Sequence, residues 1–334
     1  MKASDRPTML DVARSAGVSI KTVSRVVNGE PNVSAETAAR VQVAVRQLGF
    51  RRNDMARSLR SGRPPSTIGL VIPDLGNPFY SAMARGAEQV AQERGSLLVV
   101  GSSEDDVDRE HDLVATLFSR RVDGLLLVSS ATEHATLRAE TQLGTPVVFI
   151  DRAPVGLAAD VVLIDNVGGG RLAGEHLASH GHRRIGVVGD SSRLSTMRER
   201  LEGFEGALRA RGVRLDPALI RFGAHTAADA EADVASLMSV GSPPTALFLL
   251  NNRMTLGAVR AIQAASLSVE VVGFDDFETR ELLRVPVTVV AHDPAQMGRS
   301  AAALLYRRVD TPAARRRRVI VPTRLRVGEP SPRS

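Results

Sequence analysis

Cysteine is absent from the 334 residues, which excludes disulfides, thiolate catalysis and zinc sites built on sulfur. Long apolar runs are missing too. No stretch of eighteen apolar residues occurs and no secretory leader precedes the first helical segment, so the chain is expected to be cytoplasmic. Neither G-x-S-x-G nor H-E-x-x-H occurs and no other catalytic pair assembles, so an enzyme is not expected. Lysine is scarce: only Lys2 and Lys21 occur, and arginine does nearly all other basic work. Charge imbalance is confined to one end. Residues 1–62 hold 11 Lys or Arg against 5 Asp or Glu, while the remainder holds 32 of each. The whole excess of +6 therefore lies near the N-terminus, where a polyanion would bind.

What that basic segment contains is TMLDVARSAGVSIKTVSRVVN, residues 8–28. Thr8 followed three residues later by Asp11 is a helix N-cap signature, and Val12, Ala13 and Ala16 fall on one helical face. Gly17 supplies the backbone freedom of a sharp turn, and Ser19 can cap a second helix with Val23, Val26 and Val27 on its apolar side. The pattern predicts a helix-turn-helix, whose second helix enters the DNA major groove. Ile20, Lys21, Thr22, Ser24, Arg25 and Asn28 then face outward as contactors of bases and phosphates. A third helix is expected from Ser34 to Gly49. Asn53 to Ser61 form at most a short helix, unstable alone in water, and Gly62, Pro64 and Pro65 mark a linker.

From Thr67 the texture changes to short apolar strands alternating with amphipathic helices, the pattern of a parallel sheet wrapped by helices. It also repeats: IGLVIPD matches IGVVGD about 117 residues on, LLLVSS matches LFLLNN, and VVFIDR matches VVGFDD. Two similar open α/β subdomains are implied. Polar residues (Asp74, Ser130, Asp151, Asp190, Asn251 and Asp275) end most strands. Ligands of open parallel sheets bind beyond the strands' carboxyl ends, so a polar cleft between the subdomains is expected.

Over essentially its full length the chain resembles the lactose-repressor (LacI/GalR) family. The segments that carry the likeness are DVARSAGVSIKTVSRVVNGEPNVS, NDMARSLRSG, IGLVIPDLGNPFY, PVVFIDR, GHRRIGVVG, RERLEGF, MTLGAVRAI, VVGFDD and VPTRL. The resemblance implies an all-α helix-turn-helix headpiece with a hinge helix, then an α/β bilobed domain like a periplasmic binding protein. The implied boundaries are 1–52 for the headpiece, 53–66 for hinge and linker, and 67–330 for the effector and dimerisation domain. Its first lobe would be about 67–163 plus 293–319, and its second about 164–292 plus 320–330. The implied activity is that of a transcriptional regulator, a homodimer on double-stranded palindromic operator DNA whose affinity a sugar-like effector sets. No cofactor, metal or membrane partner is implied, and the lack of a heptad tail favours dimer over tetramer.

Residue by residue, the resemblance places Ile20, Lys21 and Arg25 at operator bases and Thr8, Thr22, Ser24 and Asn28 near phosphates, with Ser19 also among the DNA contacts. It assigns the hinge contacts to Asn53, Ala56, Arg57 and Leu59, with Leu59 wedging into the minor groove. The effector cleft would hold Asn77, Phe79, Asp151, Arg152, Arg200, Asn251 and Asp275. His225 and His292 fall where relatives often carry an aromatic and a glutamine. Carboxylates, amides and arginine suit a polyhydroxylated ligand. Two departures stand out: Asn251-Asn252 replaces the usual Asn-Asp, and the segment from Ala265 to Val271 is shortened, which leaves the strand start near Val269 open.

Other motifs compete. GGGRLA, Gly168 to Ala173, loosely fits a dinucleotide fingerprint, which keeps a bilobed enzyme or nucleotide-binding protein as the alternative; the plainer reading is a flexible helix start. EHLASHGH sets His176 and His180 on one helical face near His182, an arrangement that can bind metal, though surface histidines are common without one. Arg315 to Arg318 reads as a second nucleic-acid patch or a solvated loop. Asp151 and Asp275 can also be ordinary strand-end caps.

Overall fold

The computed structural model describes residues 7–28, 30–31, 33–50, 67–131 and 134–328. Contacts divide the chain into two compact units, residues 1–65 and 66–334. The expected hinge contacts Asn53, Ala56, Arg57 and Leu59 lie outside the described residues.

In the first unit α1 (Met9–Ala16) starts on a full capping box: Thr8 Oγ1 accepts from Asp11 N, and Asp11 Oδ2 accepts from Thr8 N at 2.8 Å. Such a reciprocal pair satisfies two of the amide donors a helix start leaves open. Gly17 ends the helix at φ +62°, the left-handed region that a Cβ disfavours. Ser19 Oγ accepts from Thr22 N at 3.1 Å to cap α2 (Ile20–Asn28), and Ser34 caps α3 (Ala35–Leu48). Val12, Ala13 and Ala16 bury against Val23 of the second helix and Val41 and Ala44 of the third. Ala13, beside Val23 in this core, is small enough to let the first two helices approach.

The second unit alternates strands and helices as the periodicity predicts. Its first half runs β1 (Thr67–Ile72), α4 (Pro78–Glu93), β2 (Leu97–Ser102), α5 (Val107–Ser119), β3 (Gly124–Leu127), α6 (Ala135–Gln142), β4 (Val147–Ile150) and β5 (Asp160–Ile164). Its second half runs α7 (Asn166–Ser179), β6 (Ile185–Gly189), α8 (Ser195–Ala210), β7 (Ile220–Phe222), α9 (Ala227–Met238), β8 (Ala246–Leu249), α10 (Asn252–Ala264), β9 (Glu270–Phe274) and β10 (Val287–Ala291). The chain returns through α11 (Pro294–Asp310), β11 (Arg318–Val321) and β12 (Arg324–Arg326).

Two six-stranded sheets result, ordered β11-β5-β4-β3-β1-β2 and β12-β10-β9-β8-β6-β7. Every pairing is parallel except β10 with β12. The repeats seen in sequence occupy matching places: β1 with β6, β3 with β8, β4 with β9. The polypeptide passes between sheets three times, after β5, after β10 and between β11 and β12. Because β5 continues to Ile164 and β11 to Val321, the lobe boundaries fall one to two residues beyond 163 and 319. The shortened segment starts its strand at Glu270.

Glycine lets the helices of each lobe touch. A Cβ on Gly170 of α7 would collide with the carbonyl oxygen of Arg200, and one on Gly203 of α8 with that of Val167. In the first lobe Gly86 meets Ala295 and Gly298 meets Met83 in the same way. The glycines of GGGRLA therefore lie inside α7 as a packing seam. They are neither a flexible start nor a phosphate turn, because Gly169 and Gly170 are buried within the helix body. Arg315 to Arg318 leads directly into β11, with Arg317 N bonded to the buried Asp160. Among the described residues no helix is long and apolar enough to cross a membrane.

Candidate effector cleft and DNA-reading helix

Carboxyl ends of both sheets line one cleft. From the first lobe come Asn77, Phe79, Tyr80, Asp105, Asp151 and Arg152; from the second come Asp190, Thr196, Arg200, Asn251, Asn252, Arg253 and Asp275, among others. Strand topology places most of them: a parallel strand ends, the chain turns into the next helix, and the turn and first helical turn face the gap, while Arg200 reaches in from the second turn of α8. Seven of the nine expected effector contacts are among these lining residues.

The two lobes meet across the cleft. Asn77, capping α4, and Asn252, opening α10, exchange amide hydrogen bonds at 2.8 and 3.3 Å. Arg253 pairs with Asp74 beside them. Asn252 donates in this exchange, which an aspartate at that place could not do.

Asp151 and Asp275 end β4 and β9, with φ of +65° and +71°. Aspartate tolerates this left-handed region better than most side chains. The backbone N–H of each donates to the neighbouring strand, Asp151 to Val162 O at 2.8 Å and Asp275 to Val290 O at 3.0 Å. Both side chains are buried. Their surroundings then diverge. Arg200 Nη1 lies 3.5 Å from Asp275 Oδ2, and His292 Nε2 donates to its Oδ1 at 2.9 Å. Burial works to raise the Asp275 carboxyl, but Arg200 and His292 outweigh it and hold it below the ordinary value. Asp151 has no such partner. Its Oδ1 is buried without a hydrogen bond, and burial pushes its carboxyl above the ordinary value against the pull of Arg200 and Arg152.

The arginines are fixed from behind. Arg200 donates through Nε to Asn166 at 2.9 Å and through Nη1 to Leu250 O, and it stacks 3.7 Å from the centroid of Phe274. Arg152 stays on its own lobe, 2.8 Å from Asp105 Oδ1 and 3.0 Å from Ser130 Oγ.

Two expected contacts stand elsewhere. The His292 side chain is 1 % exposed, edge-on to Phe79 at 5.4 Å, and orients Asp275 from behind rather than lining the cleft. His225 sits at the rim with its side chain 68 % exposed, and its Nδ1 lies 2.7 Å from Asp190 Oδ1. Residues not assigned from sequence but present at the cleft include Tyr80, Asp105 and Arg253, while Asp190 and Asn252, expected near the cleft though not as effector contacts, also line it. Asp105 and Arg253 follow strand ends, and that position alone is the available signal.

On the headpiece, Ile20 is 47 % exposed despite its apolar side chain, and Lys21 is exposed beside it. Thr22 and Ser19 link hydroxyls at 2.9 Å, and Thr8 is engaged in its cap. Ser24 and Arg25 are half-buried on the same short helix. Asn28 closes α2.

Residues 65–327 match the family described as periplasmic binding proteins and sugar binding domain of LacI family, and residues 8–53 match bacterial regulatory proteins of the lacI family. The ribose operon repressor of Escherichia coli (strain K12) is 33% identical over 322 residues, 93% of this chain and 96% of that protein. A structure of the transcriptional regulator CelR–cellobiose complex is 32% identical with a TM-score of 0.71, covering 98% of this chain and 100% of that one. The lac repressor bound to ONPG in the repressed state is 27% identical with a TM-score of 0.83, covering 98% and 100%. These relatives are regulators rather than enzymes, which sets the bilobed-enzyme alternative aside. A basic helix-turn-helix unit followed by a two-sheet unit with a polar cleft, matched over both parts, makes the chain a member of the LacI family of DNA-binding transcriptional regulators.

Proposed function

We propose that this chain is a cytoplasmic homodimeric repressor that binds a palindromic operator through α2 and adjusts that binding when a sugar or sugar derivative fills the cleft. One observation carries the effector half: the buried, unpartnered Asp151 Oδ1 beside Arg152 and Arg200. A buried acceptor left unpaired costs roughly 1–3 kcal/mol, and a ligand hydroxyl would satisfy it. Arg200 and the partnered Asp275 add a donor and an acceptor from the other lobe, so one polyhydroxylated ligand bridges both. Relatives named for ribose and complexed with cellobiose support that ligand class. Lys21 and Arg25 read base edges, Ile20 supplies apolar contact, and Thr8, Ser19, Thr22, Ser24 and Asn28 hold the phosphates. The hinge contacts Asn53, Ala56, Arg57 and Leu59 complete the minor-groove grip. Lobe closure alters the spacing of the paired hinges, a coupling of about 1–3 kcal/mol in systems of this kind.

A thermal-shift screen of sugars and nucleosides, followed by operator binding with each hit, tests this reading. Asp151→Asn removes the ligand response and keeps operator affinity near wild type. Lys21→Ala weakens operator binding by about 1–3 kcal/mol and keeps the ligand response. The reading fails if no compound shifts the melting temperature, or if a stabilising compound leaves operator affinity unchanged.

A further inference from the structure

The second sheet has an opposite edge, where strands begin, and three histidines converge there on one carboxylate. His176 and His180 stand one turn apart at the end of α7, with ring centroids 4.2 Å apart. The chain reverses at Gly181, φ +84°, and delivers His182 just before β6. Glu270 opens β9. His176 Nε2 and His180 Nδ1 lie 3.0 and 2.7 Å from Glu270 Oε1, and His182 Nε2 lies 2.8 Å from Oε2. One donor atom from each of His176, His180 and Glu270 falls within 4.8 Å of the others.

One nitrogen of the cluster is left over. His182 Nδ1 lies 2.8 Å from Thr245 Oγ1, which also reaches the carbonyl of Arg184 at 3.4 Å. The two oxygens of Glu270 are taken up by His180 and His182. His176 is not so matched: its side chain is 8 % exposed, and its Nε2 has no hydrogen-bond partner despite facing Glu270. A cation between that buried nitrogen and the carboxylate would satisfy both.

We propose that His176, His180, His182 and Glu270 form a site for one divalent transition-metal ion of the Zn²⁺ class. Three imidazole nitrogens and one carboxylate oxygen match the donors and number of a tetrahedral zinc site, and disfavour Mg²⁺ or Ca²⁺, which take oxygen. A tetrahedral ion with bonds of about 2.0–2.1 Å sets its ligand atoms about 3.3 Å apart. The nitrogen–carboxylate separations of 2.7–3.0 Å need to open by a few tenths of an ångström, while the ligand atoms of His176, His180 and Glu270, which lie within 4.8 Å of one another, need to gather toward that spacing. Thr245 orients His182 from behind, as outer groups do in metal sites. An open groove that also includes Leu267, Arg284 and Pro286 gives an ion its way in. The ion fastens the end of α7 to the start of β9. Sequence spacing shows the three histidines but hides the carboxylate, because Glu270 stands 90 residues from His180.

The test uses the tag-free full chain, stripped with chelator and titrated with Co²⁺, then Zn²⁺. One Co²⁺ per chain with the visible spectrum of a four-coordinate ion, displaced by Zn²⁺, is expected. His180→Asn and Glu270→Gln each abolish this stoichiometric binding while circular dichroism reports an intact fold. Thr245→Val keeps the stoichiometry and weakens affinity about 10- to 100-fold. His111→Ala, on exposed α5 surface, changes nothing. Absence of saturable binding at one ion per chain overturns the proposal, as does unchanged binding in both His180→Asn and Glu270→Gln.

Discussion

The two lobes of the α/β unit share strand order, helix seams and a strand-end aspartate in the same left-handed conformation, yet those aspartates differ in role. Asp275 is ionised and held by Arg200 and His292, whereas Asp151 is buried beside arginines that leave one oxygen unpaired. Backbone topology fixes where a site forms. The side chains packed behind it decide whether it is a finished support or an open receptor.

The largest expected effect comes from breaking the finished half. Asp275→Ala leaves Arg200 buried without its carboxylate, and removing one partner of a buried pair costs about 3–5 kcal/mol. Urea unfolding of the α/β unit reads this loss, and Asp151→Ala costs far less. Equal losses would erase the distinction between the lobes. A second test probes what the lobes share. Gly86→Ala and Gly203→Ala force apart α4 from α11 and α7 from α8, and each overpacks by about 1–3 kcal/mol. A large cost in one lobe and none in the other would show that the seams are not equivalent.

Acid titration sharpens the contrast further. Asp275 lies below its unfolded value, so its stabilisation is present above the ordinary carboxylate range and is lost as pH falls through its folded pKa. Asp151 lies above its unfolded value, so its favourable contribution is present below that range and is lost as pH rises through its folded pKa. Asp151→Asn therefore raises the ligand-free melting temperature at neutral pH, and the gain disappears in acid; Asp275→Asn does the reverse. Parallel pH profiles for the two variants would refute the assignment. The smallest effect is expected at the mouth of the cleft. Asn252→Asp deletes one donor of the amide exchange with Asn77, worth about 0.5–1.5 kcal/mol, and shifts ligand-free protein toward an open form. Small-angle scattering reads this as a larger radius, and an unchanged radius would show that Arg253 and Asp74 close the mouth unaided.

Much of the fold was legible because its signals are local. Alternating apolar strands, the Thr8–Asp11 cap and the repeated IGLVIPD and IGVVGD each report on neighbours in sequence. Strand-end polarity likewise brought Asp151, Asp275 and Asn251 to the cleft. What stayed hidden depends on separation. The bond between Asn77 and Asn252 spans 175 residues, and no periodicity encodes it. The resemblance makes His292 a contact because relatives often carry a glutamine there, but Phe79 and Asp275 enclose it. His225 was read as lining the cleft, whereas its ring reaches the ligand space only by way of Asp190. The seam at Gly170 was read as a flexible start because only the opposing carbonyl of Arg200 gives it meaning.

The three passages of chain between the sheets have a mechanical consequence. Each is only a few residues long, and all three join the same two bodies, one crossing after β5, one after β10 and one between β11 and β12. Two plates tied by three short parallel straps keep little freedom to slide or separate, but they can still fold about the line of the straps. With the helices of each plate locked at glycine seams, neither plate bends easily within itself. A ligand in the cleft lies close to the straps, since His292 in one of them bonds the cleft residue Asp275, so a small change in its size is converted into a larger change of angle between the plates. Ligands of one chemical type but different bulk should accordingly grade the response of this protein, much as wedges of different thickness set how far a book stays open.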